Sequence, residues 1–160
     1  MTDTPQQGEA QPIVFQSLSQ YIKDLSFENP ASPLSVALTE QPAIGIKVDV
    51  GARSLEGGQY EVALKLNAEA KMKDMVLFIA EIEYAGVFII KNLTPEQLRP
   101  ALLIEAPRLL FPFARAILGT VTGDAGYPPL LLQPIDFADL YRKNLAAVEA
   151  QRLPEGATIN

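Results

Sequence analysis

Tyr60-Glu61-Val62-Ala63-Leu64-Lys65-Leu66-Asn67-Ala68-Glu69-Ala70-Lys71 decides the fold. Tyr60, Val62, Leu64, Leu66 and Ala68 alternate with Glu61, Lys65, Asn67, Glu69 and Lys71. Successive side chains leave a strand on opposite faces, so this stretch is a strand with one buried side. Just before it, Gly57-Gly58 is a hairpin signal. Ile44–Ala52 then repeats the pattern, with Ile44, Ile46, Val48 and Val50 on one face and Lys47 and Asp49 on the other. Beyond it, Lys73-Asp74 makes a turn into Met75–Ile90. There Val76, Phe78, Ala80, Ile82 and Tyr84 form one face. Met75, Leu77, Ile79, Glu81 and Glu83 form the other. Gly86 is expected to mark a bulge or bend.

Further upstream the chain is extended as far as Glu28, with clear alternation only in the second half. Leu25 and Phe27 point one way, and Asp24, Ser26 and Glu28 the other. Asn29-Pro30 stops this strand. The connection Ala31–Ala43 is too long for a plain hairpin and carries Leu34, Val36 and Leu38. It suggests a Greek-key crossover rather than a meander. After the strands, Thr94-Pro95-Glu96-Gln97 is a capping box with Pro at the first helical position. Pro100 is expected to end or kink this turn, and Pro107 to start the main helix, which Gly123 and Gly126 end. Leu110, Phe113, Ala114, Ile117, Leu118 and Val121 form its stripe, but Leu109 and Phe111 lie off it, so the helix is apolar nearly all round. Asp136 caps a last helix carrying Phe137, Leu140, Tyr141, Leu145 and Val148. The expected fold is α+β: a four-stranded antiparallel sheet with a Greek-key-like crossover, followed by two C-terminal helices packed on one face. Residues 1–12 read as a flexible arm, 13–151 as a single domain and 152–160 as a flexible tail.

The chain of 160 residues has a formal net charge of -6 and contains no Cys, His or Trp. Disulfides, the common zinc sites and histidine-dependent catalysis are therefore excluded. An acidic balance argues against a nucleic-acid partner. The polar start lacks the basic and apolar regions of a signal peptide, and the apolar runs are too short or too interrupted to span a bilayer. A soluble, cytoplasmic protein is expected. No phosphate-binding loop is present, and Glu81 with Glu83 sits on an open face where nothing would perturb either carboxyl, so no enzymatic role, cofactor or metal is expected.

Three features remain as carriers of function. The faces opposite the apolar ones present Asp24, Glu28, Asp49, Glu61, Glu69, Glu81 and Glu83, against only Lys47, Lys65 and Lys71. This is either a solvated face or a docking surface for a basic partner, with Ile79 as an apolar anchor. The all-round apolar helix, together with Met75, Leu77 and Ile79, offers more apolar surface than one small domain can bury, which points to a subunit interface. Leu34, Val36 and Leu38 in one loop, and Tyr127, Leu130, Leu131 and Leu132 in another, either fold back as lids or line a groove for extended apolar peptide. A different class of function is a carrier that holds one small apolar ligand between sheet and helices.

Several segments resemble the SecB protein-export family. Lys23-Asp24-Leu25-Ser26-Phe27-Glu28 resembles its first-strand motif. Leu110-Phe111-Pro112-Phe113-Ala114-Arg115 matches its helix motif. Tyr127-Pro128-Pro129-Leu130-Leu131-Leu132-Gln133-Pro134-Ile135-Asp136-Phe137 resembles its loop into the last helix. Tyr60-Glu61-Val62 and Tyr84-Ala85-Gly86-Val87-Phe88 also agree. The likeness runs in order from about Phe15 to Val148, with Glu40 where many members carry Trp. The resemblance implies an ATP-independent holding chaperone for unfolded secretory precursor proteins. It implies a homotetramer built as a dimer of dimers, and handover to the SecA translocase ATPase, whose zinc-bearing tail is basic. Family residues that dock this tail map onto Asp24, Glu28, Ile79 and Glu81. Clients are expected on Leu34, Val36, Leu38, Tyr127, Leu130, Leu131, Leu132 and Tyr141.

Overall fold

Alternation in the strand stretches becomes a sheet once each strand finds its partner. In the computed structural model, which describes residues 10–34 and 40–152, the strands are β1 (Val14–Glu28), β2 (Ala43–Ser54), β3 (Gln59–Met72) and β4 (Met75–Lys91). They pair antiparallel in the order β1-β4-β3-β2. Tight turns link β2 to β3 and β3 to β4, whereas β1 lies beside β4 at the far edge, the Greek-key arrangement expected of the long connection. Gly57 and Gly58 have φ of 71° and 73°, and Lys73 has 56°. These left-handed residues let the strands reverse within a few residues.

The sheet has one covered and one open face. Val62, Leu64, Leu66 and Ala68 of β3, with Phe78, Ala80, Ile82, Tyr84 and Phe88 of β4, are buried on the covered face. Three register shifts change which way individual side chains point. Two are in the β1–β4 pairing, between Ser17 and Ser19 and between Ile22 and Asp24. The third is in the β3–β4 pairing, between Ala70 and Lys71. This last shift leaves Leu77 as an extra residue in β4. Leu77 is 0% exposed and Met75 packs partly against the core. The expectation that both lie on the outer face with Ile79 is therefore wrong, because a bulge resets the alternation.

Gly86 is not itself a bulge, since it pairs in regular register with Gln20 and Val62. A Cβ there would meet Leu110 Cδ2, Phe88 Cε2 and the Ser19 carbonyl oxygen, each at 3.1 Å. Glycine stands here because a helix presses on the sheet.

The helices are α1 (Pro95–Pro100), α2 (Ala106–Asp124) and α3 (Phe137–Arg152). The capping box forms as expected: the Gln97 N–H donates to Thr94 Oγ1 at 3.3 Å and the Thr94 N–H donates to Gln97 Oε1 at 3.1 Å. The expected break between Pro100 and Pro107 does not occur. A π turn, Ala101–Glu105, joins α1 to α2, with the Ala106 N–H donating to the Ala101 carbonyl. Pro107 has no N–H for the Leu103 carbonyl and its ring would crowd it, so a wider turn carries the helix past the proline. Gly123 lies inside α2, and Gly126, with φ of 94°, follows its end.

α2 lies over β3 and β4 and organises the rest. Arg115 Nε donates to the Leu132 carbonyl at 2.7 Å, and the Leu130 N–H donates to Thr122 Oγ1 at 2.9 Å. These bonds fasten the 127–136 loop along the helix. Phe137 at the start of α3 packs edge-on to Phe111 of α2, with ring centroids 6.1 Å apart. Residues 1–9 of the expected arm and 153–160 of the expected tail lie outside the described residues.

Candidate functional site on the open sheet face

The register places the acidic residues in rows across the uncovered face. Glu28 pairs with Ile79, and Ile79 with Glu69. In the next row Ser26 pairs with Glu81, Glu81 with Asn67, and Asn67 with Lys47. The third row is Asp24, Glu83, Lys65 and Asp49. Paired residues share a face and sit side by side. Asp24, Glu28, Ile79 and Glu81 are thus brought together on one patch of β1 and β4, with no register shift among them. Asp24 and Glu28 are exposed, and Ile79 and Glu81 are half-buried between neighbours.

Glu81 is not free. Lys65 Nζ lies 3.2 Å from its Oε1, and Asn67 Nδ2 donates to its Oε2 at 3.5 Å. Glu81, and then Glu83 and Asp49, hold the Lys65 ammonium pKa above its ordinary value.

The far end of the same face is built differently. Glu61 is only 7% exposed. The Tyr21 hydroxyl donates to its Oε2. Lys23 Nζ and Arg53 Nε donate to its Oε1 at 2.9 and 3.0 Å. The hydrogen bond from Tyr21, then that from Lys23, with Arg53 adding to them, lower the Glu61 pKa to about 2 against the opposing effect of burial. Burial, then the bond to the Glu61 carboxylate, push Tyr21 up to about 12. The shift between Ile22 and Asp24 makes Lys23 the extra residue of β1, which lets it reach this face. Alternation alone puts Glu61 among the open carboxylates and does not place Tyr21, Lys23 or Arg53. The negative field is therefore concentrated toward the Asp24–Glu28–Glu81 end.

The apolar loop residues are scattered. Tyr127 is buried, its ring 4.9 Å from Phe78 between centroids, and its hydroxyl donates to Asn29 Oδ1 at 2.6 Å. Leu132 is also buried. Leu34 and Leu131 are 75% and 56% exposed. Leu130 and Tyr141 are half-buried, Tyr141 beside a cavity of about 70 Å³ that Val50, Leu103, Leu140, Leu145 and Val148 also line. Val36 and Leu38 lie outside the described residues.

A second apolar surface lies along β1 and α2. Ile22, Leu25, Leu109 and Phe113 are all exposed. Phe113 stacks on Tyr84 at 6.2 Å, and Tyr84 is the cross-strand partner of Ile22, so Phe113 and Ile22 both border Tyr84.

The family model for SecB, described as preprotein translocase subunit SecB, matches residues 7–148. A protein-export protein SecB from Rhodopseudomonas palustris (strain BisA53) is 49% identical over 146 residues, covering 89% of this chain and 91% of that protein. Another, from Rhodospirillum centenum, is 50% identical over 141 residues, covering 87% and 83%. Among solved structures, the Mycobacterium tuberculosis SecB-like chaperone Rv1957, in complex with a ChAD peptide from the HigA1 antitoxin, superposes with a TM-score of 0.66 at 15% identity. It covers 76% of this chain and 91% of that one, and shows a shared fold. No described helix is long and apolar enough to cross a membrane. The family model and these relatives, over most of the chain, show that it belongs to the SecB family of protein-export chaperones.

Proposed function

We propose that this chain works in the cytoplasm as a non-enzymatic, ATP-independent holding chaperone, which keeps secretory precursor proteins unfolded and passes them to the SecA translocase. The grouping of Asp24, Glu28, Ile79 and Glu81 on one open patch carries the handover part of this reading. Carboxylates flanking an apolar side chain suit a basic tail laid across the strands. Exposed ion pairs are individually weak, about 0–1 kcal/mol each, which suits a contact that must later be released. Asp24→Asn with Glu81→Gln should weaken binding of the SecA tail and flatten its salt dependence, with client holding unchanged. Titration calorimetry at two salt concentrations tests this. A double variant that binds like the parent would reduce the patch to a solvated face.

Client holding falls to the apolar surface that remains accessible among the described residues: Leu34, Leu131 and the half-buried Leu130 and Tyr141. Tyr127 and Leu132 support this surface from within the core. Leu34→Ser with Leu131→Ser should slow the capture of an unfolded precursor, measured as loss of aggregation suppression. The exposed apolar residues Ile22 and Leu25 of β1 and Leu109 and Phe113 of α2 support self-association, since isolated domains seldom expose so many large apolar side chains on neighbouring elements. Light scattering should return about four chains per particle, in keeping with closed symmetric assembly. The cavity beside α3 is about 70 Å³, far smaller than the roughly 300–1,000 Å³ of small-molecule sites, and the larger hollows of about 370 and 300 Å³ are shallow and lined in part by Lys23, Arg53 and Glu61 or by Glu69 and Lys71, so neither kind favours a carrier holding an apolar ligand between sheet and helices.

A further inference from the structure

The carboxylates of the acidic patch are not equivalent before any partner arrives. Among the described residues, Asp24 and Glu28 form no ion pair within 4.0 Å, whereas Glu81 is already held by Lys65 at 3.2 Å. The sheet dictates this division. Lys65 stands in the row of Asp24, Glu83 and Asp49, one strand from Glu81 on the diagonal, where a long side chain reaches easily. β1 supplies no competing cation there, because its bulge turns Lys23 toward Glu61. Asn67 completes the hold on Glu81 from the row of Glu81 itself.

We propose that Lys65 is a built-in competitor for the basic partner: it occupies Glu81 in the free protein and must be displaced before Glu81 can receive a partner's cation. This rests on the reading of the patch as a docking site for a basic segment. Asp24 and Glu28, open at the sheet edge, then meet the incoming charge first. At Glu81 the partner only exchanges one exposed ion pair for another, which is close to neutral. Charge alone therefore gains little there. A segment that also lays an apolar group on Ile79 gains the difference. Lys65 thus discriminates against basic chains that lack that second feature.

The full chain would be titrated with a zinc-loaded synthetic SecA tail by calorimetry at low and moderate salt. The variants are Lys65→Gln, Lys65→Arg, Glu81→Gln, Lys65→Gln with Glu81→Gln, and Lys47→Gln. Lys47→Gln makes the same charge change on the same face, two strands away from Glu81. Lys65→Gln should tighten binding about threefold at low salt. Lys65→Arg should leave it at the parent value, and Lys47→Gln should tighten it less than Lys65→Gln. Glu81→Gln should cost more in the Lys65→Gln background than in the parent, because only there is Glu81 free. If Lys65→Gln and Lys47→Gln tighten binding equally, or the cost of Glu81→Gln is the same in both backgrounds, Lys65 is not a competitor. If Glu81→Gln changes nothing in either background, the docking role of Glu81 is overturned as well, and the two failures are distinguishable.

Discussion

The two ends of the open sheet face use the same residue types for opposite purposes. At one end three donors from β1 and β2 close on a single carboxylate, Glu61, and leave it 7% exposed. At the other, Asp24 and Glu28 stand exposed, and Glu81 has one ion-pair partner, Lys65, and a long hydrogen bond from Asn67. A buried carboxylate must be surrounded by donors or lose more in desolvation than it gains, whereas an exposed one is cheap to leave open. The first arrangement ties edge strands β1 and β2 to β3. The second holds charge in reserve.

The largest expected effect comes from breaking the closed end. Glu61→Gln keeps the shape but removes the charge that three hydrogen bonds share. Loss of charge-assisted bonds at a buried site should cost about 2 kcal/mol, read as a lower midpoint in chemical denaturation. Binding of a basic tail should be unchanged, because Glu61 offers no open oxygen. A variant as stable as the parent would mean that Tyr21, Lys23 and Arg53 gain nothing from converging on it.

Much of this molecule was legible in its sequence, and the failures share a cause. Period-two alternation in residues 60–71 needed no partner to be read, and the burial of Val62, Leu64, Leu66 and Ala68 follows it. The shared face of Asp24 and Glu28 on β1, and of Ile79 and Glu81 on β4, was legible too, because no register shift falls among those positions; their selection as a group came from the family resemblance. Alternation fails where a strand carries an extra residue. Leu77 turned inward and Lys23 reached the open face because bulges shifted the period, and a bulge depends on the neighbouring strand. The lock on Glu61 was hidden for a further reason. Tyr21 and Glu61 are far apart in sequence and meet only through the Greek-key return of β1. The π turn was masked by two prolines that locally read as a break, yet the core contacts of α2 with the sheet outweigh that local preference.

The pH profile sharpens the contrast. The Glu61 pKa lies near 2 in the fold, against an ordinary 4.5. A folded pKa below the unfolded one contributes stability that is fully present above the ordinary value and is lost as pH falls toward 2. The contribution is on the order of 1–2 kcal/mol once the exposure of Lys23 and Arg53 is discounted. Tyr21 works at the other limit: its pKa rises from 10.0 to about 12, so its contribution is present below pH 10 and lost as pH climbs through 12. Denaturation midpoints measured across both limbs should fall less steeply in Glu61→Gln on the acid side. Tyr21→Phe should flatten the alkaline limb and cost about 1 kcal/mol at neutral pH. An unchanged acid limb in Glu61→Gln would place the acid sensitivity elsewhere in the fold.

The smallest effect belongs to the open end, and its smallness is the point. Glu81→Gln removes a carboxylate whose pair with Lys65 is direct but solvent-exposed, so folding stability should change by no more than about 0.5 kcal/mol. Asn67 Nδ2 can still donate to the Gln amide oxygen, and Lys65 regains water, so no buried group is left unsatisfied. The same substitution should nevertheless weaken the docking of a basic tail modestly, since it leaves the Lys65 ammonium without its partner beside the patch, where it repels the incoming charge. Stability and affinity thus separate at Glu81 and move in the reverse order at Glu61, where stability falls and affinity holds. Denaturation and titration on these two variants, side by side, test that crossing directly. If Glu81→Gln proved as destabilising as Glu61→Gln, the Lys65–Glu81 pair would be part of the sheet's framework.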